Sequence, residues 1–527
     1  MMRTVLALLL ALLARSVWAL PITEIPVPPA PRVIEHENLG EVDFNGIGLT
    51  PGTAETGGFW HNSTRSSVEP LLAEITTGIK HPAIKSALLP VLIRGGNPPR
   101  GYSSDGAPFL VARATALYNQ GAIQEAKQLL ALVPQGQRRF AATQLLASML
   151  VVEGKFDAGC PVVTDGLAMQ NDALLLALQY VCATKEEKPA AAELALSLLD
   201  ELTNEYSGFL ALAQSCTLGV PPNALPTVTA DTATTALLRV CRWPQGSAIT
   251  LIVDRTTPVP LLPLIATSTL VSTETRVRAA ELATLHGAFS PVRLKEVYDI
   301  IAGFSDGQDP ASMAYNAPQV WQQFKTAKGV NRWQVLSVAL EGAGALGTQP
   351  VVARLYQPLL QDVILPEEAR LKKAAIRTAA LSGAASLLTG SGSLEDTTIT
   401  LYSWGWARLQ AREPGAALWD VGLLNRWRQR FGADYSALPL YLEALGYPAP
   451  ANAAKRRLSP LGRQLLDAQK QQADGLAVLS AVRVISNSLT GVTPLGDIAV
   501  AYDTLVSLGF TDAARSAAVA LSLQQGL

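Results

Sequence analysis

Apolar side chains recur every three or four residues along most of this chain, a spacing that places them on one side of an α-helix. The pattern is clearest from Pro108 to Leu202. Gly121 interrupts one apolar face there, and a second face follows it and ends at Pro134. The same arrangement returns around Gly154, 33 residues after Gly121, and this distance is the usual period of a two-helix repeat. The tract therefore predicts three successive helical hairpins.

The third hairpin is expected to turn at residues 185–189 and to pack two apolar faces against each other. Those faces consist of Leu174, Leu175, Leu178 and Val181 on the first helix, and of Ala191, Leu194, Leu198 and Leu199 on the second. A small residue also follows the turn glycine by five positions in three hairpins, at Ala126, Gly159 and Ala514. A small side chain at this position lets the second helix pack closely on the first.

Hairpins of the same kind continue to the end of the chain, with turns at Gly287 and Gly509. A short β-like stretch at Ile249–Val253 interrupts them. The predicted fold class is all-α, with stacked antiparallel helical hairpins that form an α-solenoid. Its N-terminal region, residues 66–270, contains the cysteines, and its C-terminal region covers residues 271–527.

The start of the chain has the pattern of an export signal. Residues 1–19 combine a short basic start, an apolar run at residues 5–13 and small residues at a cleavage site, which predicts a cleaved signal peptide. The proline-rich residues 20–65 are expected to form an extended segment. No later stretch has the length of a transmembrane helix, so the mature protein is expected to be periplasmic or secreted.

Four cysteines follow this signal, at Cys160, Cys182, Cys216 and Cys241. An even number in an exported chain favours disulfide bonds. Three pairings are open. Cys160–Cys182 with Cys216–Cys241 is favoured because each bond would join neighbouring helices, whereas Cys182–Cys216 would join equivalent positions of adjacent repeats.

Composition argues against several classes of function. The net charge of −1 provides no basic face for a nucleic acid. The four histidines have no metal-ligand spacing, and the chain lacks the phosphate-binding and nucleophile motifs of common enzymes. We therefore predict no cofactor, no metal and no catalytic residue.

The best candidates for a binding site are aromatic and basic residues near the C-terminal third. They are Trp404, Trp406, Trp419, Trp427, Arg408 and Arg426. Indole rings and guanidinium groups could line a groove for a sugar or a peptide. The alternative is that these tryptophans fill the junction between two hairpins. Glu413 and Asp420 lie close to them in sequence, which leaves a glycosidase-like carboxylate pair as a further hypothesis.

The spacing from each turn glycine to a small residue resembles that of tetratricopeptide-type repeats. Four further features resemble a group of exported alphaproteobacterial helical-repeat proteins. They are Gly57-Gly58-Phe59-Trp60, the pair Cys160 and Cys182, the segment Thr275–Glu281, and the terminal hairpin with Gly509 and Ala513-Ala514-Arg515. These motifs are helix-packing signatures, so the resemblance implies a fold and an exported location and no enzymatic activity.

More distantly, the chain is similar to periplasmic repeat proteins of flagellar motors and to the superhelical part of lytic transglycosylases. Because helical arrays present long concave surfaces, the predicted function is a protein-binding scaffold or adaptor in the cell envelope, whose partner is an envelope protein. The first alternative is an envelope glycan-binding protein that uses the tryptophan groove. The second is an α-helical sugar-processing enzyme.

Overall fold

The computed structural model describes residues 46, 48–50, 59–78, 81–101, 108–133, 138–220, 227–243, 249–304, 316–360, 363, 368–382, 458–489, 493–514 and 517. The chain divides into two units, Met1–Asp43 and Phe44–Leu527, and all the described residues belong to the second unit. They are mostly helical, as the apolar spacing predicts.

The helices of the N-terminal half are α1 (Arg65–Thr77), α2 (Pro82–Ile93), α3 (Phe109–Asn119), α4 (Ile123–Ala131), α5 (Phe140–Val152), α6 (Phe156–Met169), α7 (Ala173–Lys185), α8 (Pro189–Leu202), α9 (Ser207–Leu218), α10 (Thr232–Leu237) and α11 (Leu262–Thr267). Those that follow are α12 (Thr273–Leu285), α13 (Pro291–Phe304), α14 (Ala317–Thr326), α15 (Asn331–Leu346), α16 (Gln349–Tyr356), α17 (Ala369–Ser382), α18 (Pro460–Lys470), α19 (Asp474–Ser488) and α20 (Leu495–Ser507). Short 3-10 turns occupy Val259–Leu261 and Gln357–Leu359. Two strands of two residues each, β1 (Val228–Thr229) and β2 (Leu251–Ile252), pair in parallel.

Five hairpins share one type of three-residue turn. Its middle residue has a positive φ angle, which is 81° at Gly121, 78° at Gly154, 58° at Glu187, 54° at Gln472 and 86° at Gly509. Glycine favours this left-handed conformation because it has no Cβ atom. Glu187 lies 33 residues after Gly154, so the predicted period continues into a third turn in which glutamate occupies the glycine position.

The same backbone hydrogen bond closes each of these turns. The residue after the middle one donates its N–H to the carbonyl oxygen five positions earlier, at distances between 2.7 and 3.0 Å. In the first hairpin this bond runs from Ala122 to Leu117. It satisfies a carbonyl that the end of the helix would otherwise leave unpaired, and it directs the chain back along the first helix.

A small, buried residue follows the middle of every one of these turns by five positions. The five residues are Ala126, Gly159, Ala192, Ala477 and Ala514. At Gly159 an added Cβ would lie only 3.1 Å from Cγ2 of Val151, so the two helices of that hairpin leave no room for a larger side chain. The spacing that the sequence shows in three hairpins therefore extends to two more. In these two, Glu187 or Gln472 occupies the turn position in place of glycine.

The two helices of each early hairpin are buried to different extents. The first helices, α3, α5 and α7, bury most of their residues. The second helices bury only a narrow stripe, such as Ala192, Ala195 and Leu199 in α8. A helix that is apolar on all sides needs neighbours on all sides, so α3, α5 and α7 need more cover than their partners α4, α6 and α8 provide.

Helices from the two ends of the described chain pack against each other. Helix α19 contacts both α1 and α2. Trp60, which is fully buried, stacks edge-on against Phe109, and Gly475 donates its N–H to the carbonyl oxygen of Phe59 at 2.6 Å. The side chain of Asn62 donates to the carbonyl oxygen of Gln471, 409 residues away. A simple open solenoid has no such contact between its first and last repeats.

Two disulfide bonds connect neighbouring helices. Cys160 in α6 is bonded to Cys182 in α7, with 5.7 Å between their Cα atoms. Cys216 in α9 is bonded to Cys241, which follows α10, with a Cα separation of 5.5 Å. This is the pairing favoured by the spacing in the sequence.

The left-handed turns allow a test of backbone strain. We expect Gln472→Gly to raise the free energy of unfolding by about 1 kcal/mol, because glycine adopts a positive φ angle without steric cost. The matched control is Gln471→Gly, since Gln471 has a φ of −82° and glycine there should lower stability by about 0.5–1 kcal/mol. Denaturant unfolding of both variants would check this prediction, and equal effects would contradict it.

The contact between the chain ends allows a second test. A Cβ atom on Gly475 would lie 2.5 Å from the ring of Trp60 and 2.7 Å from the carbonyl oxygen of Phe59. We therefore expect Gly475→Ala to destabilise the protein by about 1–3 kcal/mol through overpacking. Gly303→Ala, in open space on helix α13, should instead be neutral or stabilising. Thermal unfolding would separate the two, and a stable Gly475→Ala variant would contradict the packing of α19 on α1.

Candidate functional site

The residues proposed from the sequence as a binding groove lie outside the described residues. They are Trp404, Trp406, Trp419, Trp427, Arg408 and Arg426. Glu413 and Asp420 lie outside them as well. The four predicted disulfide cysteines are described, and two of them, Cys216 and Cys241, are next to the site that the structure does present.

A later part of the chain covers the free sides of α3, α5 and α7. Helix α10 packs against α5 and α7, and the 3-10 turn Val259–Leu261 packs against α3. This covering segment, residues 227–243 and 249–267, buries Leu237, Trp243 and Leu251. It also contacts two of the hairpin turns, because Val259 lies against Gly121 and Arg239 lies against Gly154. The inner surface of the first three hairpins is therefore part of the core.

Polar bonds and a disulfide fix the covering segment to α9. Trp243 donates its indole N–H to Oγ of Ser215 at 3.0 Å. The Cys216–Cys241 bond joins the same two elements. The hydroxyl of Tyr180 donates to the carbonyl oxygen of Ala213 at 2.8 Å, which ties α9 to α7. Helix α9 is thus held in a set position beside the third hairpin.

A groove opens where α9 lies beside α7 and α8. Its volume of about 840 Å³ is in the range of pockets that bind ligands. The apolar part of its lining includes Ala192 and Leu196 from α8 and Leu210 and Leu218 from α9. Leu218 is 74% exposed, so the apolar lining continues onto the open surface.

The sequence of α8 explains why this helix lines a groove and is not fully buried in the core. Its buried stripe of two alanines and one leucine is narrow, which leaves most of the circumference exposed. Leu199 is buried as predicted, but Leu194 and Leu198 are 61% and 42% exposed. The prediction that all three pack against α7 was wrong for these two. An apolar residue on a helix predicts burial only where a neighbouring element covers that side.

Acidic side chains surround the groove. Glu187, Glu193 and Asp200 line it together with one basic residue, Lys188. The ammonium group of Lys188 is paired with Glu186 at 2.7 Å. Neither Glu193 nor Asp200 forms an ion pair with another residue of the described ranges, and both are exposed. The mouth of the groove therefore carries a negative charge above an apolar floor.

A second titratable feature lies in the core of the C-terminal half. Glu281 in α12 is completely buried and accepts hydrogen bonds from the hydroxyls of Tyr298, at 2.6 Å, and Thr348, at 2.7 Å. Burial raises the pKa of this carboxyl, while the two hydrogen bonds oppose that change. The carboxyl joins α12, α13 and the turn before α16. We interpret it as a structural cross-link because both of its hydrogen-bond partners are buried side chains.

Comparisons of the chain with protein-family models, with curated proteins and with solved structures find no match. The function must therefore be argued from the geometry of the described residues alone.

Two further properties of the described residues bear on the site. No group of three or more histidine, cysteine, aspartate or glutamate side chains there could hold a metal ion. Among the described helices, none combines the length and the apolar character that crossing a bilayer requires.

The buried carboxyl predicts a pH-dependent difference in stability. Because its pKa is raised in the folded state, the folded protein binds this proton more tightly than the unfolded chain does. Stability must then fall as the pH rises through the folded-state pKa. We expect Glu281→Gln to gain stability relative to the wild type as the pH rises from the ordinary pKa of a glutamate through the raised one, since an amide stays neutral.

Denaturant unfolding of both proteins at several pH values would measure the difference between their free energies of unfolding. The contributions of the other titrating groups are the same in both proteins and cancel. Glu281→Leu is the control, because it removes the acceptor of both hydroxyl hydrogen bonds and should be about 1–3 kcal/mol less stable than Glu281→Gln at every pH. If the wild type and Glu281→Gln had parallel pH profiles, the raised pKa would be refuted.

Proposed function

We propose that this protein is an exported helical-repeat protein of the tetratricopeptide type that acts as a protein-binding scaffold in the cell envelope. The proposal includes export through residues 1–19, which lie outside the described residues. The partner is another protein of the periplasm or of the envelope.

Two observations support the exported location and the repeat type. Both pairs of cysteines are disulfide-bonded, and such bonds persist in oxidising compartments such as the periplasm. The five matching turns, each followed at the same distance by a small residue, support a repeated two-helix unit.

The observation that carries the binding function is the apolar surface of helix α8. Leu194, Leu198 and Leu202 are 61%, 42% and 48% exposed and follow one another at intervals of four residues. Residues four apart lie on the same side of a helix, so the three leucines form one continuous stripe. A contiguous apolar patch on the surface of a protein marks an interaction site. We refer to these three residues as the leucine stripe.

The location of the stripe agrees with the covered inner surface. The sides of α3, α5 and α7 that face the covering segment are closed to a partner, because residues 227–243 and 249–267 pack against them. A scaffold of this kind must therefore bind through the outer helices and through the helix that follows the third hairpin. The leucine stripe and the groove beside α9 are both in that region.

Crosslinking in the native host would test this function. The wild type, expressed with an affinity tag, should crosslink to one or more proteins of the periplasmic fraction. The variant with Leu194→Asp and Leu198→Asp should lose those products, because buried carboxylates would oppose an apolar contact. The matched control places aspartate at Val292 and Ile300, which are 64% and 51% exposed on helix α13.

The control variant should retain the wild-type products, and both variants should show the same unfolding midpoint as the wild type. If the wild type remained in the cytoplasm, the exported location would be disproved. If the α8 variant kept every crosslinked product, the stripe would have no part in binding.

A further inference from the structure

The groove between α7, α8 and α9 has the chemistry to select a particular kind of partner. We infer that it binds a cationic amphipathic helix, that is, a partner segment with lysine or arginine along one side and leucine-like residues along the adjacent side. The inference rests on the proposed function, because it names the chemical class of the partner that the scaffold would bind.

The floor of the groove accounts for the apolar half of such a ligand. Leu196 is partly buried, Leu210 is almost fully buried, and Leu218 remains 74% exposed at the mouth. A helix that places its apolar side in a groove of this kind removes both surfaces from water, which is the main source of affinity in helix-in-groove recognition. The volume of about 840 Å³ admits several large side chains, but not a folded domain.

The acidic side chains account for the cationic half. Glu193 and Asp200 are seven residues apart on α8 and both line the groove, with Leu196 between them. Seven residues of a helix span about 10.5 Å, which is two turns. A partner helix lying along α8 with basic residues at the same interval can therefore pair with both carboxylates at once. Glu187 supplies a third acidic side chain near the mouth.

The groove is held open in advance. Helix α9 is fixed by the Cys216–Cys241 bond, by the bond from Tyr180 to Ala213 and by the bond from Trp243 to Ser215. A preformed site avoids the entropic cost of ordering its walls when a ligand binds. The same negative rim opposes nucleic acids, phosphates and anionic lipid headgroups, so a cationic peptide is the ligand that fits both charge and surface.

Fluorescence anisotropy of synthetic peptides on the purified, disulfide-bonded protein would test this inference. The probe is a labelled 15-residue helix with lysines at intervals of seven residues and leucines three and four positions after each. A second peptide replaces each lysine with glutamate, and a third has the composition of the first in scrambled order. We expect only the first to bind, and we expect its affinity to fall as salt is raised, because exposed charges are screened.

Charge reversal of the rim provides the matched comparison. Glu193→Lys with Asp200→Lys should weaken binding of the cationic peptide about tenfold and should improve binding of the glutamate peptide. The control variant, Asp165→Lys with Glu274→Lys, changes the net charge by the same amount at two exposed positions outside the groove and should bind like the wild type. Leu218→Ser should weaken binding, whereas Leu194→Ser, on the leucine stripe, should not.

Three results would overturn the inference: failure of the cationic peptide to bind, equal affinity for the scrambled peptide, or equal losses in the rim and control variants. None of them bears on the crosslinking through the leucine stripe. If crosslinking depends on the stripe and the peptide does not bind, the scaffold function stands and the groove is not its recognition site. If the peptide binds as expected and crosslinking is absent, the groove chemistry stands without the envelope scaffold.

Discussion

The structure depends on the burial of three helices that are apolar on almost every side. Helices α3, α5 and α7 cannot be covered by α4, α6 and α8 alone, because each of those presents only a narrow stripe. Residues 227–243 and 249–267 pack against the free sides of these helices and add to the cover. The energetic reason is direct, since every large apolar side chain removed from water contributes about 1.5–3 kcal/mol. The covering segment is therefore as much a part of the core as the hairpins are.

This cover determines where the protein can meet another molecule. The free sides of α3, α5 and α7 are buried, whereas helix α8 and the end of α9 keep several large apolar side chains exposed. Helix α9 is joined to the covering segment by the Cys216–Cys241 bond and by the hydrogen bond from Trp243 to Ser215. The groove is thus a consequence of the same arrangement that fills the inner surface. The same packing therefore explains why α3, α5 and α7 offer no binding groove and why a groove is present beside α9.

The contact between α19 and the first helices adds a second constraint. Trp60, Gly475 and the bond from Asn62 to Gln471 join the ends of the described chain, and the ion pair between Arg483 and Glu74, at 2.9 Å, joins the same helices. Edge repeats of a helical array normally expose one apolar side to water. Here α19 packs against α1 and α2, so apolar side chains at this junction are covered.

Local residue patterns were sufficient to predict the helices, the 33-residue period and the favoured disulfide pairing, because each depends on spacings of fewer than 40 residues. The turn at residues 185–189 was predicted, but neither the left-handed conformation of Glu187 nor the turn at Gln472 was, because the conformation that glycine signals can also be imposed on other residues by the packing of two helices. The exposure of Leu194 and Leu198, the covered inner surface and the contact of α19 with α1 were decided by tertiary structure alone. Each depends on which distant element lies beside a given helix face, and the apolar periodicity of a helix carries no information about the identity of that neighbour.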